Sequence, residues 1–105
     1  MGIQSEEQEL RRRTVGLFLK EGRERAGLTQ RALAERLSYS SPQFVSNWER
    51  GESLPPMHVL LEIPVLLAIA PRRLVEIIAD YQKEVLVLQR QRWQRMFAQE
   101  LAELD

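Results

Sequence analysis

At 105 residues the chain is long enough for one compact core and too short for two. Hydrophobic residues make up 44% and charged residues 29%, which fits a soluble globular domain and excludes a disordered tail. Fifteen Lys and Arg balance fifteen Asp and Glu, so bulk charge by itself points to no polyanionic partner.

The first element is a helix that begins near Ser5 and ends at Ala26. Leu10, Val15, Leu17, Phe18 and Leu19 supply its apolar face, and Gly27 is placed to be the left-handed residue after its last turn. Gly16 and Gly22 inside it each cost about 1 kcal/mol relative to Ala, which close helix packing explains. Thr29 then caps a second helix, Gln30 to Leu37, whose Leu33, Ala34 and Leu37 face inward. Ser38-Tyr39-Ser40 forms a turn. Ser41 followed by Pro42 is a start signal, a capping hydroxyl before a proline suited to the first helical position, for a third helix reaching Arg50 and stopping at Gly51.

Leu54-Pro55-Pro56 forces extended backbone before a fourth helix opening near Pro56. Pro64 removes the bond to the Leu60 carbonyl, so a kink or a split is expected there. Ala70-Pro71 marks a further boundary. From Arg72 to Asp105 there is neither glycine nor proline, and Leu74, Ile77, Ile78, Tyr81, Val85 and Leu88 recur at spacings of three and four. The pattern predicts one long helix, or two with a joint near Asp80. About thirty residues span roughly 50 Å, further than the preceding core is wide, so the far end is expected to leave its apolar stripe uncovered by its own domain.

The run from Val15 to Ile78 contains L-K-E-G-R-E-R-A-G-L-T-Q, then A-L-A-E-R-L, then V-S-N-W-E-R-G, then a proline-led helix. This ordered set resembles the lambda-repressor/Cro-like helix-turn-helix family, also called the XRE family. The resemblance implies an all-α, five-helix DNA-binding domain over residues 1–79, followed by a C-terminal helical extension over 80–105. It further implies a bacterial, phage or plasmid transcription regulator, nucleoid-associated in the cytoplasm, that binds double-stranded DNA, commonly as a homodimer.

Carried over by position, Gln30, Ser41 and Arg50 would meet phosphates. Gln43 and Asn47, four apart on one face of the third helix, would read base edges, since an amide can donate and accept at once and so suits N6 and N7 of adenine. Phe44 would press a thymine methyl or pack on the turn beneath Tyr39. The turn carries one extra residue around Ser38–Ser40, which would swing Tyr39 toward a phosphate or simply lengthen the loop. Pro42 stands where the family often has a base-reading residue, which shifts the contact set toward Gln43, Phe44 and Asn47. Val45 and Trp48 are core positions. Arg23 and Glu49 match a family pair that forms an internal ion pair setting the angle of the reading helix.

The minimal fold of the family does not need residues 81–105. Tyr81, Val85, Leu88, Trp93, Met96, Phe97, Leu101 and Leu104 form a ridge expected to bury itself in a second copy or another partner. A two-fold homodimer would hold two reading helices one DNA turn, about 34 Å, apart. The competing readings are a tail that folds back over its own domain, and an antitoxin or anti-regulator whose C-terminal helix occupies a toxin or another regulator.

An enzyme is not expected. The single histidine, His58, has no cysteine and no metal-ligand spacing around it, and there is no glycine-rich phosphate loop, so neither metal nor cofactor is implied. No apolar run approaches the ~20 residues that span a bilayer. The acidic start M-G-I-Q-S-E-E-Q-E does not read as a signal peptide, and the absence of cysteine rules out disulfide and thiol chemistry and suggests an intracellular address.

Overall fold

A computed structural model describes residues 3–104, with side chains described from residue 5 to residue 103. It is all-helical among those residues. The elements are α1 (Ile3–Arg11), a π-helical turn (Arg12–Gly16), α2 (Leu17–Arg25), α3 (Gln30–Arg36), α4 (Gln43–Glu49), α5 (Met57–Leu66), α6 (Pro71–Met96) and α7 (Ala98–Leu104). None of the described helices is long and apolar enough to cross a membrane.

The first predicted helix is two, joined by the π turn. Leu10 and Val15 lie five residues apart and both are 1% exposed. A π turn closes on i→i+5, so it brings residues five apart onto one face, where a regular α-helix would separate them. The Thr14 hydroxyl donates to the Leu10 carbonyl at 2.6 Å inside this turn. Leu17, expected on the apolar face, is 41% exposed instead, because the turn rotates it outward.

Capping residues set the remaining boundaries. Gly27 has φ +74°, and the Leu28 N–H bonds the Arg23 carbonyl at 3.1 Å to end α2. The Thr29 hydroxyl accepts from the Ala32 N–H at 3.0 Å to open α3. α4 begins at Gln43 with Pro42 as its cap, and the Ser41 hydroxyl accepts the Gln43 N–H at 3.1 Å. Pro64 does not break α5, which runs through it to Leu66. It stands in the last turn, where little helix remains to be lost, and the carbonyl of Pro64 still accepts from the Ile69 N–H at 2.9 Å.

Leu33, Val45, Trp48, Val59, Ile63 and Leu74 form the centre of the core, with Leu10 and Val15 closing it from the N-terminal side. Gly16 lets α4 approach, since a Cβ there would stand 2.5 Å from the Glu49 carbonyl oxygen. Gly51 sits against the Gln8 carbonyl and the Arg12 backbone, with φ +78°. Both glycines are therefore seats for neighbouring backbone.

The C-terminal extension departs from expectation. α6 passes residue 80 without a joint, and the break comes at Phe97. It is not free along its length: α1 and the π turn lie antiparallel beside it, with Arg13 to Glu84 at 3.5 Å and Glu6 to Arg95 at 3.9 Å. Tyr81 is buried in the chain's own core and accepts from Arg11 at 3.3 Å. Val85 and Leu88 are partly buried against the same core. These three were expected at an intermolecular surface; residues 3–11 instead fold into a helix that covers them, so this part of the tail follows the fold-back alternative. Trp93, Met96, Phe97 and Leu101 remain exposed, and the side chain of Leu104 lies outside the described residues.

Candidate nucleic-acid interface

The site is assembled on α4, whose sequence Q-F-V-S-N-W-E buries Val45, Trp48 and Glu49 and turns Gln43, Phe44, Ser46 and Asn47 away from the core. Residues 43, 46, 47 and 50 fall at helical spacings of three and four, so they share one outward face.

Beneath that face lies the ion pair that fixes it. Arg23 on α2 grips Glu49 through two bonds, Nε to Oε2 at 2.7 Å and Nη2 to Oε1 at 3.0 Å, while its Nη1 donates to the Leu28 carbonyl at 2.8 Å. The side chains are 11% and 4% exposed. Donating to the Glu49 carboxylate holds the Arg23 guanidinium above its ordinary, already high pKa, outweighing the opposing effect of burial. Gln30 donates its amide to the same Glu49 oxygen at 3.0 Å. Gln30 is half-buried, and the donor expected to meet a phosphate is engaged inside the fold.

The exposed face carries a second network. Asn47 Oδ1 accepts from Gln43 Nε2 at 2.8 Å and from Arg50 Nη2 at 2.9 Å. Arginine has only donors, so the Asn47 atom facing it is the carbonyl oxygen, and the Gln43 atom facing that oxygen is its amide nitrogen. With both lone pairs taken, Asn47 offers outward donors alone. This corrects the expectation that both amides donate and accept at once. Gln43 keeps its carbonyl and one N–H. Arg50, expected on a phosphate, is held between Asn47 and Glu52, the latter at 3.3 Å.

Tyr39 is not swung outward. Its ring packs against Phe44 at 4.8 Å between centroids and edge-on to Trp48 at 5.5 Å, and its hydroxyl is 3.2 Å from His58 Nε2. Phe44 therefore packs on the turn residue while remaining 49% exposed. His58, the second residue of α5, ties the turn to the next helix.

Beside α4 opens a cleft of about 250 Å³ lined by Arg12, Lys20, Gln30, Ser46 and Arg50 together with Leu17 and Glu49. Three of these side chains are cationic. Arg12 is paired with Glu9 at 2.8 and 2.5 Å; that hydrogen bond raises the Arg12 pKa and lowers that of Glu9. Sequence reasoning missed Arg12, Lys20 and Ser46. The helical spacing of Ser46 from Gln43 and Arg50 was signal enough to find it, whereas Arg12 lies in the π turn, which nothing in the sequence marked, and Lys20 lies on α2 three residues from Leu17.

A second surface was also missed, a groove of about 560 Å³ between α5 and α6 whose lining includes Met57, Leu61, Val65 and Val75. Met57, Leu61 and Val65 repeat every four residues on the side of α5 away from the buried Val59 and Ile63. α5 is thus apolar on two faces, which the segment M-H-V-L-L-E-I-P-V-L already spells out.

Residues 19–74 match the family described as helix-turn-helix. No curated protein and no solved structure matches the chain.

Proposed function

This chain belongs to the lambda-repressor-like helix-turn-helix family and is a DNA-binding transcriptional regulator, and we propose that it is a repressor which reads operator DNA as a homodimer. α4 enters the major groove. The observation that carries the reading is the row of polar side chains on its outward face, held rigid from below by Arg23 and Glu49. Gln43, with one acceptor and one donor free, takes the N6 and N7 edge of an adenine. Asn47, with donors only, takes an acceptor edge, N7 and O6 of guanine or O4 of thymine. Phe44 presses an adjacent thymine methyl with its uncovered half. Ser41 and the cations of the cleft, Lys20 and Arg12, meet the backbone, which supplies local attraction in a chain without net charge.

Selection of bound duplexes from a random pool tests this. The expected product is a pair of inverted half-sites about 34 Å apart, each with one adenine whose enrichment disappears in Gln43→Ala and one guanine or thymine whose enrichment disappears in Asn47→Ala. A pool that enriches no sequence rejects the proposal.

A further inference from the structure

The end of the chain is patterned by charge in a way that its own fold does not use. After Glu84, α6 carries Arg90, Arg92 and Arg95 and no acid; α7 carries Glu100 and Glu103 and no base. Among the described residues Arg90, Arg92, Glu100 and Glu103 have no ion-pair partner, and Arg95 has only the exposed 3.9 Å approach to Glu6. Between the basic and acidic stretches lies the apolar patch. Trp93, Met96, Phe97 and Leu101 are 53%, 60%, 43% and 45% exposed, and the Trp93 and Phe97 rings stack 5.5 Å apart at 13°. Trp93, Phe97 and Leu101, four apart, line one open groove of about 440 Å³.

We infer that two copies of the chain pair through these segments in antiparallel fashion, the basic end of α6 in one lying along the acidic α7 of the other. The inference rests on the homodimer reading above and names its surface and register. Arg95 with Glu100 and Arg92 with Glu103 share a single register, which places the two-fold axis between Phe97 and Ala98. Two-fold symmetry makes every pair occur twice. Trp93, Phe97 and Leu101 of each copy then meet at the centre, where aromatic rings contribute most of an interface's strength. Exposed ion pairs add little affinity individually, so the charges act chiefly on orientation: a parallel arrangement sets arginine against arginine and glutamate against glutamate. A second copy is thus the occupant whose charges complement this patch on both sides.

A charge swap tests the register. Sedimentation velocity on the full chain at about 50 µM is expected to show a dimer, a concentration in the range of a modest interface. Arg92→Glu with Arg95→Glu in one variant, and Glu100→Arg with Glu103→Arg in another, are each expected to weaken self-association about tenfold or more, from like-charge juxtaposition. An equimolar mixture of the two is expected to recover a heterodimer, and the chain carrying all four substitutions a homodimer. Circular dichroism of each variant is expected to show the helices still formed, since Arg95, Glu100 and Glu103 are exposed and Arg92 only partly buried. A dimeric wild type whose doubly substituted variants associate unchanged, or whose mixture fails to recover, overturns the register while leaving the homodimer standing. A wild type that sediments as a monomer removes both.

Discussion

Asn47 shows how one neighbour fixes the chemistry of a reading residue. Arg50 can only donate, so it holds the Asn47 carbonyl and leaves the amide nitrogen facing out. Arg50→Met frees one lone pair of that carbonyl. Adenine is then expected to become acceptable opposite Asn47, shrinking a discrimination worth about 1–3 kcal/mol. Operator variants differing at that one base pair, titrated against both proteins, measure it; equal preferences in the two proteins argue against the assignment. The Arg23–Glu49 pair belongs to stability instead. Arg23→Ala leaves a carboxylate that is 4% exposed without its cation, with Gln30 as its remaining side-chain partner. Urea denaturation is expected to show a loss of about 3–5 kcal/mol. The Arg23–Glu49 pairing was legible through the resemblance, because both residues sit in the two motifs that carry it, L-K-E-G-R-E-R and V-S-N-W-E-R-G. The orientation of Asn47 was not, since an amide in a sequence carries no sign of which end its neighbour will hold.

At the level of elements, hydroxyls, prolines and glycines announced most boundaries correctly. Thr29, Gly27, Gly51 and Pro71 each stand at the turn or helix start their chemistry implies, because capping is a local matter settled within a few residues. Two elements escaped that local reading. Pro64 was weighted as a breaker, but only Val65 and Leu66 of α5 follow it, so there is little helix beyond it to break off. The boundary at Phe97 had no glycine or proline to mark it. The seat of α4 is a further case. Gly51 reads as a helix stop, yet it also admits the backbone of α1, where a Cβ would collide with the Gln8 carbonyl and the Arg12 backbone. Gly51→Ala is expected to lower stability by about 2–4 kcal/mol, left-handed strain and overpacking together. Thermal melting is the check, and a change below about 1 kcal/mol would show that α1 yields at little cost.

Over the whole molecule, the deciding contact is the one between the two ends of the chain. α1 and α6 cover each other, so Tyr81, Val85 and Leu88 serve the core while the apolar patch around Trp93 and Phe97 is left exposed, and the overall shape is drawn out to 56 × 27 × 21 Å. A truncation after Gln89 is therefore expected to stay folded and lose self-association, whereas one after Ala79 removes Tyr81 from the core and uncovers Leu10. Removing a buried aromatic costs about 3–5 kcal/mol before any loss along α1 is added. Equal melting temperatures for the two truncations would contradict this division. No periodicity within either end shows that they meet; the pairing depends on where the intervening helices send them. The wide turn at Arg12–Gly16 has a consequence for the chain's length. It holds a residue that an ordinary helix would have no room for, so the sequence can be shortened by one there. Excising Arg13, an exposed residue, leaves Leu10 and the present Val15 four apart, the spacing at which an unbroken α-helix aligns them. The same excision anywhere in α2 would throw its inward residues out of phase, and a comparison of the two single-residue deletions by melting temperature would reveal the difference.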